Sequence, residues 1–354
     1  MATISAAMPH PLPNTIPDDA ALDDLLSDPT PGVIETLAHF PGDILILGVG
    51  GKMGPSLARM IRRASDAAAT VRRVIGVSRF SAGGQLEGQL REQGIEPIAC
   101  DLIDPDQLDR LPDAPNVVYM AAMKFGSTGQ EARTWAINCF LPGMVCQKFR
   151  ASRIVAFSTG NVYGLTPVSG SGSAETDALN PLGDYAMSCV GRERMFEHFS
   201  RSLGIPVSML RLNYAVELRY GVLADLARRV FAGEPIDLTM GYVNVIWQGD
   251  ANAMAIQSFA RAASPPFVVN LSGPERLSVR AICEEMGRLM GKSVRFTGRE
   301  ADSALLNDGS LGRRLFGEPR VGAAQLVAWV ADWVQRGGGT LGKPTHFDVR
   351  DGKF

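Results

Sequence analysis

Metal-binding and disulfide patterns are missing from this chain of 354 residues. It has five cysteines, which are scattered and form no CxxC pair, and four histidines, none of them in HExxH spacing. An odd number of scattered cysteines argues against a disulfide framework and against a zinc site. We therefore expect reduced cysteines and no metal cofactor.

An excess of charge of either sign is also missing. The 35 basic side chains nearly balance the 37 acidic ones, which gives a formal net charge of −2. Nucleic-acid and anionic-membrane partners favour basic surfaces, so neither is expected. No apolar run approaches the length of a membrane span, and residues 1–20 lack the basic and apolar regions of a signal peptide. These absences together predict a cytoplasmic protein.

What the chain does contain is a regular alternation of apolar runs with helical stretches. The first strand is predicted over Asp43–Leu47, a run typical of strands buried in a parallel sheet. Five further strands are predicted over residues 74–77, 97–100, 117–120, 154–157 and 207–210. Because helical stretches separate them, the pattern predicts right-handed βαβ crossovers. The expected fold class is α/β, with a doubly wound parallel sheet of the Rossmann type.

The same pattern divides the chain into three parts. Residues 1–40 are predicted to be an N-terminal extension that begins with a proline-rich, flexible lead-in. Residues 41–212 form the predicted dinucleotide-binding core. Residues 213–354 have a mixed pattern, which includes a strand predicted over residues 243–246, and are expected to form mainly a small mixed substrate lobe, with some segments returning to the core. That lobe should lie over the carboxyl edge of the sheet, where open α/β folds bind ligands.

A glycine-rich turn follows the first strand directly. Gly48, Gly51 and Gly54 form the pattern GxxGxxG, with Lys52 and Met53 inside it, and a helical stretch comes next. Glycine permits the tight turn and lets a pyrophosphate approach the backbone, and the helix start offers free N–H groups. The alternative is a turn that only reverses the chain. The strand–glycine–helix context favours a dinucleotide site.

The end of the second strand bears on the choice between NAD and NADP. An acidic residue there would bind the ribose hydroxyls of NAD, but this chain has Ser78 and Arg79. An arginine can hold the oxygens of a 2′-phosphate, so the sequence favours NADP over NAD as the cofactor. The alternative is that Arg79 is a solvated loop residue, which leaves NAD open.

Further markers follow in a fixed order along residues 43–300. They are Asp101 and Leu102 after the third strand, Ala121 and Ala122 after the fourth, Asn138 in the next helix, the run Phe157–Gly164, Tyr185, and the run Val243–Ala251. In this order and spacing the chain resembles the extended short-chain dehydrogenase/reductase family, which includes NAD-dependent epimerases and dehydratases. The resemblance implies that Asp101, Leu102, Ala121, Ala122 and Asn138 belong to the cofactor site.

The resemblance also implies a catalytic pair. Alignment on the run Val162–Gly164 puts Thr159 in the family's hydroxyl position, with Ser158 beside it, and Tyr185 at the start of a later helix. In that role Thr159 would hydrogen-bond the reacting oxygen of the substrate, and Tyr185 would move a proton while also contacting the cofactor. The alternative is structural: Thr159 caps a strand and Tyr185 packs at a helix start.

One departure from the family puts activity in question. The family's Tyr-x-x-x-Lys reads here Tyr185-Ala-Met-Ser-Cys189, so the ammonium group that lowers the tyrosine pKa is missing. Lys124 lies where related epimerases carry a lysine near the cofactor, and Arg192 falls on the same helix face as Tyr185. Lys124 could replace part of the lost field, or it could be a surface lysine. Cys189 is expected to be a small packed residue rather than a reactive thiol.

Two functions are therefore compatible with the sequence. The first is an NAD(P)-dependent oxidoreductase or epimerase acting on a carbohydrate-like hydroxyl or carbonyl compound. The second is a dinucleotide-binding sensor or scaffold that has lost turnover, as the cysteine at position 189 indicates. The run Thr159-Gly160-Asn161 lacks the Asp-Glu of the family's dehydratases, which disfavours water elimination. Arg211 and Arg219 are candidates for anion contacts, and the family resemblance implies a homodimer.

Overall fold

Seven parallel strands form the centre of the computed structural model, which describes residues 12–81, 83–124, 126, 128–343 and 345–353. Their order across the sheet is β3-β2-β1-β4-β5-β6-β7, and every neighbouring pair is parallel. In chain order, the strands β1 to β7 are Ile44–Leu47, Val74–Ser78, Glu96–Ala99, Asn116–Tyr119, Arg153–Thr159, Val207–Leu212 and Phe267–Leu271. This architecture confirms the predicted doubly wound α/β fold.

The apolar runs explain why the sheet is central. All four residues of β1 are fully buried, since helices cover both faces of the sheet. The helices, α1 to α13, are Asp19–Leu26, Pro31–His39, Gly54–Ala67, Gln85–Glu92, Pro105–Asp109, Glu131–Trp135, Leu141–Lys148, Gly183–Leu203, Val222–Ala232, Gln248–Gln257, Val279–Met290, Ser310–Phe316 and Ala323–Gln335. A π-helical turn, Ala136–Phe140, joins α6 to α7, and short 3₁₀ turns span Gly160–Tyr163 and Ser258–Arg261.

The strand order reverses direction at β1, which has β2 on one side and β4 on the other. Loops that leave these strands at their carboxyl ends diverge there and open a crevice, the usual ligand site of such sheets. The glycine loop after β1 and the loop after β4 are the two that border this crevice.

Later segments build a second apolar core above the sheet. It packs α9, α11 and α13 together, and the rings of Trp247 and Trp329 meet edge to face with 5.7 Å between centroids. Four two-stranded pairs support it: Ala215–Val216 with Ile246–Trp247, Ile236–Asp237 with Phe296–Thr297, Tyr242–Val243 with Leu277–Ser278, and Thr166–Pro167 with Ser303–Ala304. The segment Phe267–Leu271 leaves this region and joins the central sheet beside β6.

A strand predicted over residues 243–246 is broken in the structure. Asn244 interrupts it, because its side chain turns to the interior and accepts from Asn213 Nδ2 at 2.7 Å. Asn244 Nδ2 also donates to the carbonyl of Asn307 at 2.6 Å. Two two-residue strands flank this polar contact instead of one continuous strand.

The two ends of the described chain are tied to this frame. Helices α1 and α2 pack on α3 and α10, and Leu22, Leu26, Val33 and Leu37 are buried there. At the other end, Thr345 donates to Asp225 on α9, and Arg350 donates to the carbonyls of Thr239 and Ser303.

Candidate active site

The glycine loop has room for a ligand at one glycine and no room at the other two. Gly48 has a φ of +95°, and a Cβ there would lie 2.8 Å from the backbone nitrogen of Ala121. A Cβ on Gly54 would lie 2.1 Å from the carbonyl oxygen of Val49, since α3 packs tightly on the loop. At Gly51 the nearest atom would be 3.4 Å away, so the chain itself leaves this space open.

The start of α3 faces the same loop. Met53 precedes the helix, and no side chain caps its first N–H groups. An α-helix start without a cap offers backbone donors and a positive dipole end to an anion. The glycine cradle and this helix start therefore fit a dinucleotide pyrophosphate.

Residues predicted to contact the adenosine end border the same side of the sheet. Ser78, the last residue of β2, lies against the loop, since a Cβ on Gly50 would come within 2.4 Å of its Oγ.

 The Arg79 side chain is exposed to solvent, next to Ser78 at the rim of the crevice. Asp101 accepts from the backbone N–H of Ile103 at 3.4 Å, and Leu102 beside it is buried.

The loop after β4 is held by Asn138, on the π-helical turn. Asn138 Oδ1 accepts from the backbone N–H of Met123 at 2.9 Å, and its Nδ2 donates to the carbonyl of the same residue at 2.9 Å. This two-sided clamp fixes the loop that carries Ala121, Ala122 and Lys124. The structure thus gives Asn138 a positioning contact with the loop.

Thr159 and Tyr185, the predicted catalytic pair, meet at the carboxyl end of β5. Thr159 is the last residue of β5, and Tyr185 lies in the first turn of α8. The side chains of Thr159 and Cys189 are hydrogen-bonding neighbours of the Tyr185 hydroxyl, and both act on its pKa. Thr159 Oγ1 also accepts from the backbone N–H of Asn161 at 3.2 Å, so this residue caps the following 3₁₀ turn as well.

The surroundings of Tyr185 disfavour its ionised form. Burial is the largest cause that raises its pKa, and the hydrogen bond with Cys189 raises it further. The Arg192 guanidinium and the hydrogen bond with Thr159 act in the opposite direction but are outweighed. Without further positive charge, this tyrosine is therefore better suited to give a proton than to take one at neutral pH.

Ser158 makes a different contact from Thr159. Its hydroxyl donates to Glu193 Oε1 at 2.6 Å, and Glu193 forms a buried ion pair with Arg211, with 2.7 Å between Oε2 and the guanidinium. Arg211 also donates to the Tyr163 hydroxyl at 2.7 Å, which in turn donates to Asn270 at 2.8 Å. This network connects β5, α8, β6 and β7 beneath the site.

Cys189, four residues after Tyr185 on α8, is fully buried. Burial raises the pKa of its thiol, whereas Arg192 and the hydrogen bond with Tyr185 lower it. The Lys124 ammonium lies 5.6 Å from the centroid of the Tyr185 ring, so two basic side chains approach this end of the site. Burial lowers the pKa of Lys124 to about 8.

Lys52 reaches from the glycine loop to the upper core. Its Nζ lies 3.1 Å from the centroid of the Tyr220 ring, just before α9. Burial is the main cause that lowers its pKa to about 7, and the charges of Lys124 and Lys343 lower it further. Three lysines from separate segments therefore approach one another here, a setting that favours an anionic ligand.

Several of these relationships could not be read from the sequence. Arg211 was a candidate for an anion contact, but it is bound by Glu193, and Arg219 is bound by Glu217, Asp19 and Asp23. Their partners lie far away in sequence or in the N-terminal helices. No short motif signals such pairs.

Comparison with known proteins agrees with this geometry. Residues 44–241 match the model of the family described as NAD dependent epimerase/dehydratase family. The chain belongs to this family. Membership confirms the resemblance to extended short-chain dehydrogenases and the prediction of an enzyme of the epimerase/dehydratase kind. No curated protein matches the chain.

Solved structures of epimerases and dehydratases share the fold. The UDP-glucuronic acid 4-epimerase of Bacillus cereus, in complex with NAD, superposes with a TM-score of 0.69 at 17% identity, over 83% of this chain and 96% of that one. The UDP-glucose 4-epimerase of Thermotoga maritima, with UDP-glucose, gives 0.68 at 18% identity, over 83% and 99%. The dTDP-glucose 4,6-dehydratase of Bacillus anthracis, with NAD, gives 0.69 at 14% identity, over 83% and 96%.

Metal-ligating clusters and membrane-spanning helices are both missing from the described residues. No three His, Cys, Asp or Glu side chains gather there as ligands for a metal ion. No helix in the described part of the chain combines the length and the apolar character that crossing a bilayer needs.

Proposed function

We propose that this member of the epimerase/dehydratase family is a nicotinamide-dinucleotide-dependent oxidoreductase or epimerase that acts on a carbohydrate-like hydroxyl or carbonyl group. The observation that carries this proposal is that Thr159, the last residue of β5, and Tyr185, in the first turn of α8, interact at the carboxyl end of the sheet. Two hydroxyl groups that meet at the ligand edge of a parallel sheet can hold one substrate oxygen between them.

The residues of the crevice fit the cofactor. Gly51 would leave its open space to the pyrophosphate, and the first N–H groups of α3 would bind phosphate oxygens. Lys52 would add positive charge on the same side. Once bound, the nicotinamide ring supplies the acceptor or donor of a hydride.

The choice between NAD and NADP remains part of the proposal. Ser78 and Arg79 stand where an acidic residue would favour NAD, and the exposed Arg79 side chain is available for a 2′-phosphate. Two of the related structures named above, the UDP-glucuronic acid 4-epimerase and the dTDP-glucose 4,6-dehydratase, contain NAD, which favours NAD instead. We propose NADP as the preferred cofactor, with NAD as the alternative.

In the proposed reaction Thr159 orients the substrate oxygen and Tyr185 exchanges a proton with it. When a carbonyl is reduced, the Tyr185 O–H bond breaks and an O–H bond to the substrate oxygen forms. When a hydroxyl is oxidised, the proton moves the other way, which requires the phenolate. Because burial raises the pKa of Tyr185, the first direction needs less help from neighbouring charges.

A sensor without turnover is the second candidate, and the buried cysteine at position 189 favours it. Both candidates require dinucleotide binding, so binding and turnover must be measured separately. We expect reduced NADP or NAD to bind, detected by its fluorescence, and turnover with members of a panel of sugars and sugar nucleotides. Binding without any turnover, and with equal affinity in Tyr185→Phe, would favour the sensor.

We also propose that the chain forms a homodimer through α8 and the helical segments before it. Large apolar side chains are exposed on these neighbouring helices: Phe140 at 63%, Met187 at 45% and Trp135 at 38%. Such a cluster is typical of a protein–protein interface. Light scattering after size-exclusion chromatography should show a dimer, and Phe140→Glu should convert it to a monomer. A wild-type monomer would contradict this proposal.

A further inference from the structure

Tyr185, Cys189 and Arg192 lie along one buried face of α8. They are spaced by four and three residues, which places them one above the other on a helix. Tyr185 and Cys189 interact with each other, and the charge of Arg192 acts on both groups. A permanent positive charge therefore lies one turn further along the helix than the family's lysine would.

The hydrogen bonds of Arg192 go to neutral acceptors. Its guanidinium donates to the carbonyl of Phe157 at 3.0 Å, to Asn138 Oδ1 at 2.8 Å and to the Asn138 carbonyl at 3.4 Å. The side chain is only 3% exposed, and it forms no ion pair with a carboxylate among the described residues. The adjacent Glu193 is bound by Arg211 and Ser158 instead.

A buried guanidinium without a paired carboxylate keeps most of its field for the groups around it. Those groups are Tyr185, Cys189 and Glu193 on its own helix and Tyr119 on β4, whose ring centroid is 5.8 Å from the guanidinium carbon. From β5, Thr159 contributes a neutral hydroxyl to Tyr185, and from the loop after β4 comes Lys124.

Arg192 and Lys124 differ in how long they keep their charge. Burial lowers the pKa of Lys124 to about 8, so this amine loses its proton as the solution becomes alkaline. A guanidinium stays protonated at any pH at which the protein is folded. Of these two cations, Arg192 alone can therefore stabilise a buried Tyr185 phenolate at every pH at which the protein is folded.

We propose that Arg192 is a positioning residue that, acting across Cys189, supplies the positive field that the family's lysine gives to the catalytic tyrosine. The catalytic use of this field rests on the proposed function. The field itself does not, because it acts on Tyr185 whether or not a substrate is turned over.

A fluorinated tyrosine placed at position 185 makes the field measurable. Its phenol is more acidic than that of tyrosine, which brings the titration into an accessible pH range, and fluorine NMR observes this one side chain in the full-length protein. In Arg192→Gln, which keeps an amide for hydrogen bonding but loses the charge, the pKa should rise by about one unit or more. In Arg192→Lys, which keeps the charge, it should move by less than about half as much.

Two further variants separate the charge of Arg192 from other causes. Arg201→Gln removes an exposed arginine of the same helix and should leave the titration unchanged. Lys124→Met tests the competing cation, and we expect a smaller shift than in Arg192→Gln. An unchanged titration in Arg192→Gln would overturn the proposal, as would a larger shift in Lys124→Met. If Arg192→Gln does not fold, a shift of about one unit or more in Lys124→Met overturns the proposal by itself.

The measurement needs neither cofactor nor substrate, so its result does not depend on the proposed function. If the shift is found but no turnover occurs with any substrate, the proposed function fails and the electrostatic assignment holds. If turnover occurs, the pH dependence of kcat in Arg192→Gln should move in the same direction as the NMR titration. If Arg192→Gln changes KM alone and leaves the pH dependence of kcat unchanged, Arg192 has a purely structural role.

Discussion

The side chains of Tyr185 and Cys189 lie one helical turn apart on α8 and interact with each other. Relatives with the Tyr-x-x-x-Lys pattern have an ammonium group at the second position. Here a fully buried neutral side chain lies between the tyrosine and the guanidinium of Arg192. The effect of having a cysteine rather than a lysine at position 189 therefore depends on the positive charge of Arg192.

This coupling predicts the outcome of restoring the lysine. Cys189→Lys places a second buried cation beside Arg192 and should destabilise the protein by about 3 kcal/mol, because neither charge has a carboxylate partner. The double variant Cys189→Lys, Arg192→Gln removes the repulsion and should recover part of that loss. Urea unfolding of both variants measures the difference, with Cys189→Met as the control for side-chain size. Equal losses in the single and double variants would contradict the coupling.

The glycine loop predicts different effects for two similar substitutions. A methyl group on Gly51 meets nothing closer than 3.4 Å, so Gly51→Ala should fold normally yet weaken dinucleotide binding at least tenfold. Gly54→Ala should lower the melting temperature, because its Cβ would lie 2.1 Å from the Val49 carbonyl oxygen. Thermal unfolding and cofactor fluorescence distinguish the two. Undiminished binding by Gly51→Ala would place the pyrophosphate elsewhere.

Lys52 predicts a pH dependence of stability. Its pKa is about 7 in the folded protein and 10.5 when unperturbed, so between these values the unfolded chain binds a proton that the folded chain does not. The free energy of unfolding should therefore rise with pH in this window. Lys52→Met lacks the titrating group, and its stability relative to wild type should fall as the pH increases from about 7 to 10. A constant difference would mean that the Lys52 pKa is not lowered.

The buried ion pair predicts a strong contrast along α8. Glu193→Gln leaves the 7%-exposed Arg211 without its counter-charge and should cost about 3 kcal/mol or more. Glu197→Gln, on the same helix, removes surface pairs with Arg194 and Arg201 and should cost less than about 1 kcal/mol. Chemical denaturation tests both variants. Similar small losses would show that the buried network adds little to stability.

The fold could be predicted because it depends on signals within short stretches of the sequence. The apolar runs, such as Ile44–Leu47, are long enough to identify strands buried on both faces, and Gly48 marks a turn that needs a positive φ. The family pattern located Thr159 and Tyr185, which the structure brings into contact. These signals all lie within short stretches of chain.

The rest depends on contacts between distant segments, which no local pattern reveals. Lys52 lies over Tyr220, and Arg211 binds Glu193 from another element, although each residue alone resembles a solvated side chain. The continuous strand predicted over residues 243–246 failed for the same reason, since Asn244 turns inward to meet Asn213 and Asn307. Tertiary hydrogen bonding outweighs local strand preference there.

The most direct test of the proposed enzyme is rapid mixing of the cofactor-loaded protein with its substrate, followed by the absorbance of the reduced nicotinamide. We expect hydride transfer in the wild type and a rate lower by about 10²-fold or more in Tyr185→Phe, with unchanged cofactor affinity. Transfer at the same rate in both proteins would contradict the assignment of Tyr185 as the residue that moves the proton.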